Sequence, residues 1–338
     1  VNGAAVILDR ARQIADDVLF PAAMAVDAAD RVPAAHLDLL AVAGLYGLAG
    51  PREHGGLGAD PVTSWGVIET LAGGCLATAF VWLQHQGVVR AVAAAPPGDL
   101  AAKWLEPLCR GERRAGVALG GTLPDPALRA TAVRGGYRLD GFSPWVTGWE
   151  LIDVLHVAAR DPDDNIVLAL LDAEPGPALG AEALPMVAVN ASRTVRLRFD
   201  GQFVAGGRVT GVVPYPEWRA ADALRLRTNG SLALGVASRC CRLIGPSPLD
   251  QELTAGRAAL DSAGSAAAPA GAGALPAARA GAAEFAARAS AALVAASGSR
   301  GILAGEHPQR LAREALFLLV FASRPAIKER LLARLTGR

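Results

Sequence analysis

The sequence predicts an α+β protein with an N-terminal helical domain over residues 1–112, a central antiparallel β domain over residues 113–213 and a C-terminal helical bundle over residues 214–338. Three observations predict it. Apolar residues recur at helical spacing up to about Arg110, alternation by twos replaces that spacing between Gly116 and Val213, and helical spacing returns after Pro214 and Pro216. A chain of 338 residues, 52% hydrophobic and 19% charged, carries enough apolar surface for a packed interior.

In the first third, Leu37, Leu40, Ala41, Gly44 and Leu45 fall at i, i+3, i+4, i+7 and i+8, which makes one apolar stripe on a helix that begins near Pro33. Trp65 to Ala94 is helical in pattern, interrupted at Gly73-Gly74 and closed by Pro96-Pro97. In the middle third, Val195, Leu197 and Phe199 share one face of Thr194 to Asp200 while charged residues share the other, the mark of a half-buried strand. Shorter strands are predicted at Tyr137 to Phe142, Val154 to Ala159 and Ile166 to Leu171, separated by Gly-Gly, Asp-Pro-Asp-Asp and Pro-Gly-Pro turns. In the last third, helices are predicted near Trp218 to Leu243, Asp250 to Ala263, Leu275 to Ser297 and Gln309 to Phe321, with a short one from Pro325 and an Ala/Gly/Pro loop at Gly264 to Ala274. From Ala315 to Ala322 every side is apolar, which suits burial in a bundle or at a subunit contact.

Several functional classes are disfavoured. The net charge is +1, from 33 basic and 32 acidic residues, so no basic field points to nucleic acid or an anionic membrane surface. The run Ala315 to Ala322 is far shorter than the ~20 residues a membrane span requires. The first residues carry no basic segment followed by an apolar one, and a cytoplasmic protein is expected. Cys75, Cys109, Cys240 and Cys241 show no C-x-x-C spacing, so buried thiols are expected in place of a zinc site or disulfide framework. There is no P-loop and no strand-turn-helix unit with G-x-G-x-x-G, which disfavours a Rossmann fold.

Three motifs carry a resemblance. Gly44-Leu45-Tyr46-Gly47-Leu48, followed by Pro51-Arg52-Glu53-His54-Gly55-Gly56-Leu57-Gly58, ends a helix and opens a glycine-rich loop. Asp140-Gly141-Phe142-Ser143-Pro144-Trp145-Val146-Thr147-Gly148 is a strand running into a turn, and Thr194 to Asp200 leads into Gln202-Phe203-Val204. With the helix from Arg310 to Ala315, these resemble the acyl-CoA dehydrogenase family, whose order of helices, sheet and helices matches the order read above. The resemblance implies a flavin ring packed on Trp145 and hydrogen-bonded near its N5 by Thr147. An aromatic face would shield the ring, and a neutral hydroxyl would steady charge that develops there. Trp149 and the strand from Thr194 to Asp200 are expected to serve the fold.

The chain also departs from the family. Where relatives carry hydroxyl and amide side chains for the flavin, it reads Ala115-Gly116-Val117-Ala118-Leu119-Gly120-Gly121-Thr122, leaving the backbone N–H groups of Ala118, Gly120 and Gly121 as implied donors. Gly298-Ser299 is the nearest match to a glutamine-glycine-glycine segment that reaches the cofactor of a neighbouring subunit. Dehydrogenation of a thioester needs a carboxylate for the α-proton. At the usual position stands Phe321-Ala322-Ser323-Arg324, and at the position a minority of relatives use stands Arg225, upstream of Leu234-Gly235. Glu314 is expected to pair with Arg310. His85, on a helix that faces the flavin in related monooxygenases, is the candidate catalytic residue, and His54 and His307 are expected to face solvent.

The resemblance implies an FAD-dependent acyl-CoA or acyl-carrier dehydrogenase acting on an acyl thioester. A flavin monooxygenase of the same fold, using FAD or FMN with His85 at the peroxide, is a second reading. A catalytically degenerate subunit of a hetero-oligomer is a third. A homodimer or homotetramer is expected, with no metal, nucleic acid or membrane partner.

Overall fold

The computed structural model describes residues 3–96, 98–122, 127–264 and 273–337. Helix α1 (Gly3–Gln13) runs through a π-helical segment, Ile14–Leu19, into α2 (Phe20–Ala28). That wider turn carries Asp16, which accepts from Arg239 at 2.5 Å and Arg242 at 2.9 Å. Arg239 also donates to the Gly73 carbonyl at 2.6 Å, tying together segments far apart in sequence. Helix α3 (Ala34–Val42) starts after Pro33, as its apolar spacing predicts.

The glycine-rich segment after α3 is a packing knot. A Cβ on Gly56 would stand 2.2 Å from the Gly50 carbonyl oxygen, so no larger residue fits. Helix α4 (Pro61–Gly74) opens with Asp60, whose carboxylate accepts from the Thr63 N–H at 2.9 Å. It stops where Cys75 turns extended (φ −148°, ψ 111°), and α5 (Leu76–Ala93) restarts at once, so the predicted break falls at the Gly-Gly pair. Helix α6 (Asp99–Arg110) ends on Gly111 at φ +71°.

Among the described residues eight strands follow: β1 (Ala115–Ala118), β2 (Leu128–Val133), β3 (Gly136–Val146), β4 (Val154–Arg160), β5 (Asn165–Asp172), β6 (Leu179–Ala183), β7 (Val195–Ala205) and β8 (Val209–Pro214). Their order is β6-β7-β3-β2-β4-β5-β8, with β1 also paired to β4. The pairings are antiparallel except that β1 and β2 run parallel to β4. Strand β7 alternates buried and exposed as its sequence predicts, whereas β4 is buried along nearly its whole length because both faces are covered. Val154 packs against Val88, Val92 and Leu108 of α5 and α6, while Leu155 and Val157 join the core with Leu139 and Leu197.

The chain returns to helices with α7 (Tyr215–Ile244), α8 (Leu249–Gly264), α9 (Ala274–Ala296), α10 (His307–Val320) and α11 (Pro325–Thr336). Most of the predicted loop at Gly264 to Ala274 lies outside the described residues. Helices from both ends of the chain share one core, in which Leu37, Leu71 and Trp82 meet Leu234, Ala283 and Leu318. Helix α10 buries Ala315 and Leu318 but leaves Leu316 and Val320 exposed, so it is one-sided within the chain. All four cysteines are buried free thiols, and no cluster of potential metal ligands occurs among the described residues. No helix among the described residues is long and apolar enough to cross a membrane.

Candidate functional site

The C-terminal end of β3 carries an irregularity that its sequence does not announce. Ser143 pairs with Leu197 and Val146 with Val195, so Pro144 and Trp145 together oppose Arg196 alone. This bulge holds Trp145 at φ +57°, a left-handed backbone that a bulky residue rarely adopts. Its effect is to turn Val146 into the core, at 0% exposure, and the indole outward, at 66%. An exposed tryptophan held by strained backbone is a common companion of a binding site.

Thr147 follows and is buried. Its hydroxyl lies 3.2 Å from that of Thr194, which lies 2.9 Å from the Ser192 hydroxyl. The Gly148 N–H donates to the Ser192 carbonyl at 2.9 Å and the Trp149 N–H to the Arg193 carbonyl at 3.1 Å, holding the turn before β7 against the end of β3. Trp149 is buried as structural packing requires.

Strand β1 ends at Ala118, opposite Val157 of β4, and runs into a 3₁₀ turn at Gly120–Thr122. A Cβ on Gly120 would come 2.8 Å from the Pro144 carbonyl oxygen, and one on Gly121 would come 3.0 Å from that of Phe142. The turn is therefore pressed against the bulged segment. Ala118, Gly120, Gly121, Trp145 and Thr147 lie close together at the ends of β1 and β3. Beside the bulge, an open groove of about 620 Å³ runs over the outer sheet face past Phe142, Arg196 and Arg198. Gly298 and Ser299 lie elsewhere, exposed in the turn after α9 and packed with α9 and α10.

His85 has a different setting from the one anticipated. Its ring is buried on α5, its Nε2 donates to the Leu108 carbonyl at 3.0 Å and its Nδ1 accepts from the Ala115 N–H at 3.0 Å. These bonds fix a neutral tautomer. Burial pushes its pKa down to about 3, and Tyr46 meets the ring edge-on at 4.7 Å. Both nitrogens are spent on backbone, so the ring fastens α6 to β1 and has none left for a peroxide. His307 is also not a free surface residue: it stacks on Phe20 at 4.1 Å, and burial, with Arg310 next, lowers its pKa to about 4.

Neither position for a base holds a carboxylate. Ala322 follows α10 at φ +50°, another left-handed non-glycine residue, over Arg279, whose Nη2 donates to the Leu318 and Phe321 carbonyls at 3.0 and 3.2 Å. Phe80, Phe317 and Phe321 pack together beside it, with ring centres 4.9 to 5.4 Å apart. At the other position Arg225 stacks on Trp218 at 4.5 Å. Glu314 pairs with Arg310 at 2.5 Å in the core, where burial raises its pKa above the ordinary range, so it answers to the expected ion pair. Ser192, Thr194 and Arg279 escaped the sequence reading, the first two because Ser-Arg-Thr before a strand looks like any turn.

A helical layer, a mixed sheet with a bulge in an inner strand and a helical bundle, in that order, define the acyl-CoA dehydrogenase-like fold. Residues 4–112 match the model of the acyl-CoA dehydrogenase N-terminal domain. A benzylmalonyl-CoA dehydrogenase of Aromatoleum aromaticum is 29% identical over 206 residues, covering 59% of this chain and 54% of that protein, so the match spans about half the length of this relative. A glutaryl-CoA dehydrogenase of Mycobacterium smegmatis, solved in complex with FADH2, superposes with a TM-score of 0.81 at 18% identity over 100% of this chain and 95% of its own. The dibenzothiophene monooxygenase of Paenibacillus does so with a TM-score of 0.81 at 18% identity over 98% of each chain. Residues 4–112 thus carry the acyl-CoA dehydrogenase N-terminal domain, and the whole chain has the acyl-CoA dehydrogenase fold.

Proposed function

We propose that the chain binds FAD on the shelf made by Trp145, Thr147, Ala118, Gly120 and Gly121 and acts as an oxidoreductase of acyl-CoA dehydrogenase type on an acyl thioester carried by CoA or an acyl-carrier protein. The bulge that exposes the Trp145 indole beside Thr147 is the observation that carries this proposal. A flat apolar face, a hydroxyl and the paired glycines Gly120 and Gly121 fit an isoalloxazine, while Arg196 and Arg198 in the adjoining groove are already paired with Glu182 and Asp200. When bound, FAD supplies a hydride acceptor. The protein's part is to shield that ring with Trp145, to donate to it from Thr147 and the N–H groups of the 3₁₀ turn, and to hold the thioester nearby. His85 enters as a positioning residue, through the link it makes between α6 and β1.

The missing carboxylate at Ala322 and Arg225 favours a second reading, a flavin monooxygenase with FAD or FMN, which the likeness to the dibenzothiophene monooxygenase supports. The same absence motivates a degenerate subunit that pairs with an active homologue. A homodimer or homotetramer would bring the exposed Gly298-Ser299 turn to a neighbour's cofactor. Purified protein titrated with FAD tests the proposal: uptake with flavin bands supports it, and a colourless protein that takes up none refutes it. Bleaching of those bands by acyl-CoA marks the dehydrogenase, whereas oxygen consumption with externally reduced flavin marks the monooxygenase.

A further inference from the structure

We infer that Ser192 and Thr194 are positioning residues that make the Thr147 hydroxyl an outward donor. This rests on the assignment of the Trp145–Thr147 edge as the cofactor shelf. The three hydroxyls stand in a line, Ser192 to Thr194 at 2.9 Å and Thr194 to Thr147 at 3.2 Å, and all are buried at 0%, 5% and 3% exposure. Among the described residues none of the three hydroxyls makes another hydrogen bond.

Proton counting then constrains the line. Three hydroxyls bring three protons, and two bonds between them use two. One proton is left on Ser192, Thr194 or Thr147, and a buried hydroxyl proton without an acceptor forfeits its lost hydration. An acceptor arriving at Thr147 satisfies all three at once, and only one order allows this: Ser192 donates to Thr194, Thr194 donates to Thr147, and Thr147 donates outward. In that order the Thr147 oxygen already accepts, so its hydroxyl meets the ligand as a donor.

The backbone supports the same purpose. Val189 and Arg193, which bracket Ser192, both sit at φ +50°, an unfavourable conformation for a β-branched and a long side chain. The turn is held there by the N–H groups of Gly148 and Trp149, the two residues that follow Thr147. Thr194, the residue that leads into β7, thus backs the cofactor contact.

The test is FAD titration of wild type, T147V, T147S, T194V and S192A, reading Kd and the position of the flavin absorption bands. T147V and T194V are each expected to raise Kd by roughly fivefold and to move the bands in the same direction, S192A to move them less, and T147S to match wild type. The T147V/T194V double variant is expected to equal T147V alone, because both act through one contact. Wild-type Kd and bands in T194V, alongside altered ones in T147V, overturn the inference while leaving the cofactor assignment intact. If T194V does not fold, S192A carries the test, and unshifted bands there overturn it. A wild type that takes up no FAD overturns the cofactor assignment itself and this inference with it.

Discussion

Replacing His85 by alanine removes the ring that fastens α5 and α6 to β1. The Ala115 N–H, wholly buried, loses its acceptor, while the Leu108 carbonyl keeps a bond from the Gly111 N–H at 3.0 Å. One orphaned N–H costs about 1–3 kcal/mol. The lost edge-on contact with Tyr46, 4.7 Å between ring centres, adds about 0.5–1.5 kcal/mol. With the cavity left behind, H85A is expected to lose about 3–5 kcal/mol in urea unfolding followed by circular dichroism. H85Q, which retains a donor and an acceptor, should recover part of it. An H85A protein within about 1 kcal/mol of wild type would refute the clamp. A catalytic His85 predicts the reverse, with wild-type stability and lost turnover.

Acid should weaken the fold through its buried histidines. Burial lowers His85 to about 3 and His156 to about 4, both below the ordinary 6.5, so at pH 5 they are neutral when folded and protonated when unfolded. Stability is then complete above pH 6.5 and falls as pH drops toward the folded values. The two together should remove about 4 kcal/mol between pH 7 and pH 5, and equal urea midpoints at both pH values would contradict this. W145G relieves a left-handed tryptophan that is mostly exposed, so its stability should hold or rise by about 1 kcal/mol while FAD uptake falls. E314A leaves Arg310 buried without its partner and should cost about 3–5 kcal/mol in calorimetry, in contrast to an exposed pair such as Arg12–Asp9.

Much of the architecture was legible because its elements are long and regularly patterned. The apolar stripe of α3, the break at Gly73-Gly74 and the alternation of β7 each follow from local spacing. Strands β2, β6 and β8 were not read, since β6 has only Leu179 buried and β8 only Thr210, so neither shows a clean alternation. The parallel pairing of β1 with β4 joins residues some 40 apart and leaves no local mark. At the site, the identities of Trp145 and Thr147 were legible as a motif, but the bulge was not, because it depends on β7 lying opposite. His85 misled for a related reason: its sequence neighbours say that it lies on an apolar helix, whereas its role is set by Leu108 and Ala115, far along the chain.

Titration of the purified chain with FAD, followed by quenching of Trp145 against a W145F control, tests the cofactor shelf most directly. Saturable binding of one FAD per chain is predicted, with the quenching reduced in W145F, which keeps five other tryptophans, and affinity weakened in T147V. Saturable FAD binding that leaves the Trp145 signal unchanged, or no binding at all, would contradict it.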